Sequence, residues 1–168
     1  MPSRTLLLPV LGTFVFLFGL IGAPAQATPS RVPTELTRTA AAAGSAAFEG
    51  RVMVEINAAR AHAGLAPIRF VDSCAGRLAT ALSKRIAGTG VMAHRDQGKV
   101  LRQCHQSWAG ENLIRGVGLT PKNIVDAWLA SPAHRAVLLK SRATRAGLAF
   151  VSDGQGRRVG VLTAVDRH

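Results

Sequence analysis

Two apolar runs, Ala146-Gly147-Leu148-Ala149-Phe150-Val151 and Val159-Gly160-Val161-Leu162-Thr163-Ala164-Val165, stand on either side of Asp153-Gly154-Gln155-Gly156. Two short β-prone segments around a Gly-rich turn predict a hairpin. The chain before it is helical in pattern. From Phe48 to Ala63 the residues Val52, Ile56, Ala59 and Ala63 recur at three- and four-residue spacing, and Gly64 stops the helix. Asp72 or Ser73 offers an N-cap for a second helix through Leu78, Leu82 and Ile86, ending at Gly88 and Gly90. Thr120-Pro121 caps and starts a third, with Ile124, Val125, Trp128 and Leu129 on one face, and Ser131-Pro132 starts a further turn through Leu138. Residues 91–119 hold few regular patterns, apart from a strand expected near Glu111–Ile114. Helices followed by a hairpin predict an α+β domain whose helices cover an antiparallel sheet.

The N-terminus reads differently. A tip carrying Arg4 precedes an apolar run from Leu6 to Ile21, which is followed by Gly22-Ala23-Pro24 and the small-residue triplet Ala25-Gln26-Ala27. This is the layout of a cleavable signal peptide over residues 1–27, and it predicts a secreted, extracellular protein. Residues 28–46, with Pro29, Pro33 and four successive alanines, are expected to be a flexible linker. Residues 47–168 are then one domain, long enough to bury a core.

Cys74 and Cys104 are the two cysteines, and outside the cell they are expected to form one disulfide. Closing that loop stabilises a fold by roughly 3–4 kcal/mol on the chain-entropy account. The alternative is a reactive thiol at Cys104 beside His105, which needs an activating base that an adjacent residue rarely supplies. Lys and Arg number 21 against 9 Asp and Glu, a net charge of +12, or +11 once Arg4 leaves with the leader. Such a surface suits an anionic envelope polymer or lipid surface as partner. The basic residues are dispersed, Tyr is absent and there are two Trp, so no stacking platform for specific nucleic-acid binding is apparent. The expected state is a monomer.

Three polar residues carry the chemistry: His94, Glu111 in Gly110-Glu111-Asn112, and His134 in Ser131-Pro132-Ala133-His134-Arg135. Two imidazoles and a carboxylate make a plausible first shell for zinc, with water completing the set. Their separations of 17 and 23 residues match no short metal motif. The third position of a helical turn disfavours an imidazolium and keeps His134 neutral. Each residue also has a plain structural reading. Glu111 and Asn112 can cap a turn, Trp128 belongs in a core, and Arg135 either pairs with Asp126 or Glu111 or contacts a ligand.

Asn57-Ala58-Ala59-Arg60, Gly64-Leu65, His94, Gly110-Glu111-Asn112-Leu113, Trp128-Leu129-Ala130-Ser131-Pro132-Ala133-His134-Arg135 and Gly147-Leu148 occur in the order seen in the bacterial CAP, or SCP-like, superfamily, and the chain resembles that group from Phe48 to Val165. The resemblance implies an α-β-α sandwich with a central antiparallel sheet, extracellular placement, and a cleft formed by His94, Glu111 and His134 with Asn112, Ser131 and Arg135 in support. It also exposes departures: Ser131 stands where eukaryotic members carry a second Glu, Arg95 where Ser often follows the first histidine, and the end of the chain lacks the usual Trp-x-Gln strand.

Three functions follow as alternatives. The first is a binding module for a small apolar or anionic ligand, lipid-like or from the envelope. The second is a zinc hydrolase using His94, Glu111 and His134, for which neither a His-Glu-x-x-His helix nor a Gly-x-Ser-x-Gly elbow is present. The third is a basic envelope interaction protein. No cofactor is required by the sequence beyond possible zinc, and no catalytic residue is assigned.

Overall fold

A computed structural model describes residues 34–166, and the side chains among them except those of 34–44 and 70–71. The expected leader lies outside the described residues. The elements run α1 Thr34–His62, β1 Phe70–Val71, α2 Ser73–Thr89, α3 Gln97–Cys104, β2 Ala109–Gly116, α4 Pro121–Ala130, α5 Pro132–Leu138, β3 Arg145–Ser152 and β4 Arg158–Val165. β3 and β4 form the expected hairpin, with Phe150 opposite Gly160. β2 adds antiparallel to β4, with Glu111 opposite Thr163. The strand order is β1-β3-β4-β2, which leaves β2 at one edge of the sheet.

Side chains alternate across a strand, and here both faces of the sheet are covered. On one face Ala146, Leu148, Phe150, Leu162 and Ala164 pack with Phe48, Val52 and Ile56 of α1 and with Ile124, Val125 and Trp128 of α4. On the other, Ala149, Val159, Val161 and Leu113 pack with Ala79, Leu82 and Ile86 of α2. The result is an α-β-α sandwich. Trp128 is core, as expected, and its Nε1–H donates to the Leu113 carbonyl at 3.1 Å. The α2 layer sits unusually close to the sheet: a Cβ on Gly147 would lie 2.1 Å from the Gly76 nitrogen. Only a residue without a side chain permits that backbone contact.

Local chemistry explains most boundaries. The Asp72 carboxylate accepts from the Ala75 N–H to cap α2, and Thr120 with Asn123 forms a reciprocal box at the start of α4. Ser131 is the N-cap of α5 but its hydroxyl makes no capping bond, so Pro132 in the first turn carries the restart. The structure also amends the sequence reading. α1 reaches back to Thr34, through part of the segment expected as a linker, where Ala40–Ala43 have the highest helix propensity. α3 lies in the segment read as irregular. It is only eight residues long, buries Val100 and Cys104, and takes its cap from Asp96, too little pattern for periodicity to show. β1 is a two-residue strand parallel to β3, set by tertiary contact alone.

Cys74 in the first turn of α2 and Cys104 at the end of α3 are joined in a disulfide, with Cα atoms 5.7 Å apart. The thiol-nucleophile alternative therefore falls, and His105 serves as the α3 C-cap in the left-handed conformation at φ 53°.

Two buried polar clusters tie the layers together. The Arg60 side chain is fully buried, and burial holds its pKa below the usual value. It donates to four carbonyls: Nε to Ala66 at 2.9 Å, Nη1 to Leu138 at 2.7 Å and Lys140 at 2.9 Å, and Nη2 to Ala143 at 2.9 Å. One turn earlier, Asn57 clasps the Ile68 backbone through both its amide groups, at 3.0 and 2.8 Å. At the end of β4, the Asp166 carboxylate accepts from the Ser107 N–H and hydroxyl, the Trp108 N–H and the Arg142 guanidinium. Burial of Asp166 pushes its pKa up, but these donors together bring it down to about 2.

Replacing Arg60 with Met removes the donor from four carbonyls, two of them in buried bonds, and should lower the unfolding free energy by about 3 kcal/mol in urea titrations followed by tryptophan fluorescence. Asp166 gives a pH signature. Because its folded pKa lies below the unfolded value of about 3.9, its contribution is complete above that value and is lost as pH falls from about 4 to about 2, a change on the order of 2 kcal/mol. Asp166→Asn should be less stable at neutral pH and show a correspondingly shallower acid limb; an unchanged limb would remove Asp166 from the acid response.

Candidate functional site

β2 supplies consecutive residues to opposite faces of the sheet. Glu111 points to the α2–α3 side, where its side chain is almost wholly buried. Asn112 points to the other side, and its Nδ2 donates to the His134 carbonyl at 3.0 Å, holding the first turn of α5 against the strand. Gly110 clears the floor between them: a Cβ there would sit 2.9 Å from Val137 and 3.0 Å from Trp108. Since β2 is an edge strand, residues from both helical layers meet over it.

His94, between α2 and α3, has its Nδ1 3.0 Å from Glu111 Oε1. An ionised carboxylate only accepts, so Nδ1 carries the proton and Nε2 is left as the acceptor of the ring. The Arg95 N–H donates to the same oxygen at 3.2 Å, and the Arg95 Nε lies 3.4 Å from Oε2. Glu111 is thus a buried anion held between an imidazole and a guanidinium. His134 stands across the cleft, the two rings 6.4 Å apart and tilted by 52°. His94, Gln97, Gly110, Glu111, His134 and Val137 line a cleft of ≈ 310 Å³. The His134 pKa is lowered, chiefly by burial and further by His94, so a neutral ring is favoured.

The structure brings His94, Glu111 and His134 into one cleft, but the zinc shell expected of the three is not supported by their arrangement. Glu111 Oε1 is engaged by His94 Nδ1 and the Arg95 N–H, Oε2 lies 3.4 Å from Arg95 Nε without a hydrogen bond, and among the described residues no group of three or more His, Cys, Asp and Glu side chains gathers as a metal site. Asn112 holds α5, as a support should. Ser131 stays at the α4–α5 junction, outside the cleft lining. Arg135 departs from expectation: Glu111 takes Arg95 as its cation and Asp126 takes Lys122 at 2.8 Å. Arg135 instead borders a recess with Glu55, His62 and Asp126 between α1 and the α4–α5 pair. The residue beside the cleft that the sequence reading undervalued is Arg95. Its signal was a cation directly after a candidate cleft histidine, in a chain whose buried carboxylate needed a counter-charge.

A family model described as the cysteine-rich secretory protein family, CAP, matches residues 54–165. The Bacillus subtilis (strain 168) protein YkwD, called uncharacterized, is 29% identical over 141 residues, covering 77% of this chain and 54% of its own length. The chain thus spans about half the length of that curated relative. Among solved structures, an outer surface protein of Borrelia burgdorferi superposes with a TM-score of 0.59 at 19% identity, over 69% of this chain and 90% of that one. A cysteine-rich secretory protein of Staphylococcus aureus gives 0.57 at 18% identity, over 73% of this chain and 39% of that one. At such identities the likeness shows the fold alone. No described helix is long and apolar enough to cross a membrane.

The two imidazoles should report on each other. In an NMR titration the His134 ring is expected to titrate below the ordinary histidine value of about 6.5. Replacing His94 with Gln, which removes a ring whose protonated form opposes protonation of His134, should move that titration upward. A His134 midpoint at or above 6.5 in the unaltered protein would contradict the packing described.

Proposed function

The chain belongs to the cysteine-rich secretory protein (CAP) family, and from that premise we propose that it acts outside the cell as a binding module whose His94–Glu111–His134 cleft holds a small lipid-like or cell-envelope ligand. The observation that carries this reading is the buried Glu111 carboxylate. It fixes the tautomer and position of His94 at 3.0 Å without exposing its own charge. A buried anion spent on orienting a half-exposed imidazole makes a preorganised polar contact at the mouth of a cleft whose other walls are the apolar Gly110, Ala133 and Val137 and the amide of Gln97. Small-molecule sites have this composition, apolar walls with a few fixed polar groups. Extracellular placement is supported by the signal layout of residues 1–27 and by the Cys74–Cys104 bridge. It also agrees with the relatives called outer surface and secretory proteins. The zinc-hydrolase alternative has less support, because Glu111 Oε1 is engaged by His94 and the Arg95 N–H, and its other oxygen lies 3.4 Å from the Arg95 guanidinium.

The test is ligand capture. The purified protein is incubated with membrane and wall fractions, re-isolated, extracted and analysed by mass spectrometry. One lipid-like or envelope compound should be enriched above a control protein, and His134→Ala should lower its yield at least about fivefold while the fold is retained. No enrichment from any fraction would sink the reading.

A further inference from the structure

Beside the cleft a second recess of ≈ 310 Å³ opens between α2 and α3, lined by Arg85, His94, Arg95 and Lys99 together with Leu78 and Gln103, with Asp96 at its rim. His94 is the wall that the two hollows share. Arg85 and Lys99 are exposed, and neither is ion-paired to a carboxylate among the described residues. Asp96, the acid in the lining, has Oδ1 accepting from the Gly98 N–H at 2.9 Å and its other oxygen 4.0 Å from Arg102. Arg95 is the innermost cation, anchored by a 2.6 Å bond from Nη2 to the Leu78 carbonyl and by Glu111 behind it. Burial lowers the Arg95 pKa, Glu111 raises it and Arg85 lowers it again, so the two guanidiniums act on each other across the recess. Arg85 also reaches the Ala93 carbonyl at 3.4 Å.

We infer that the Arg85–Arg95–Lys99 recess is a binding subsite for a phosphate group, as a monoester or diester, whose attached chain passes His94 into the neighbouring cleft. Arg85, Arg95 and Lys99 outnumber the two carboxylates beside them, Glu111 and Asp96, so the hollow keeps a net positive charge, and guanidinium forks match the tetrahedral oxygens of phosphate. The continuation into the cleft rests on the binding-module reading above; the phosphate subsite does not.

Inorganic phosphate, titrated into the ¹⁵N-labelled full chain at fixed ionic strength, should give saturable shifts confined to amides around residues 85, 94, 95 and 99. Arg85→Gln with Lys99→Gln should weaken binding at least about tenfold. Lys84→Gln with Lys140→Gln, which removes the same charge from outside the recess, should change it less than about threefold. Equal weakening in both double variants, or shifts spread over the whole surface, overturns the subsite. Vesicles then identify the source. Retention on phosphatidylglycerol but not phosphatidylcholine vesicles, lost in the Arg85/Lys99 variant, assigns the phosphate to a lipid headgroup. Phosphate binding without vesicle retention assigns it to a soluble ester. Vesicle retention without phosphate binding in the recess overturns the proposal. His134→Ala separates the two readings, since it should spare phosphate binding. If phosphate binds but the protein captures no compound from any fraction, the cleft reading fails and the subsite stands. If phosphate binds in the recess but the Arg85/Lys99 variant captures the cleft compound as well as the parent protein does, the continuation of the ligand into the cleft fails and the phosphate subsite stands.

Discussion

The rest of the structure hangs on one buried cation. Arg60 is removed from water with no carboxylate among the described residues paired to it, and its charge is met by the carbonyl dipoles of Ala66, Leu138, Lys140 and Ala143. Burying a charge is costly unless every donor finds a partner, so the guanidinium dictates the path of two separate pieces of chain. One is the exit from α1. The other is the connection from α5 to β3, and α5 carries His134. The position of a cleft residue is therefore set from the opposite end of its helix, by a residue that touches no part of the cleft.

β2 converts adjacency in the chain into a two-sided fixture. Glu111 reaches back to the segment between α2 and α3, while Asn112 reaches forward to α5. Because the strand is at the sheet edge, the two helical layers are not separated there, and one imidazole from each can face the other. The arrangement needs three things of this strand: a carboxylate on one face, an amide on the other, and at Gly110 no side chain at all.

Much of this was legible in the sequence. The hairpin announced itself through its turn, where the Asp153 carboxylate accepts from the Gln155 and Arg157 N–H groups. The starts of α2 and α4 were marked by their capping residues, and two cysteines allow only one bridge. What escaped notice was set by tertiary contact rather than local pattern: β1 is two residues long, and α3 has one apolar side and a disulfide in place of periodicity. At the site, the ordered motifs pointed to His94, Glu111 and His134, but nothing local could decide whether Arg95 or Arg135 would neutralise Glu111. Both arginines directly follow a cleft histidine. Only the fold turns one inward and leaves the other facing solvent.

The contact between Gly147 and Gly76 has a mechanical consequence. Helix α2 rests on the β3 backbone near its start, where the bridge from Cys74 also grips it, and Ile86 is sunk in the core near its far end. It is a beam fixed at both ends. Arg85 rides on that beam next to Ile86, so its backbone can shift only as far as the helix itself bends. An anion bound there would have to order the exposed side chain but not the helix that carries it.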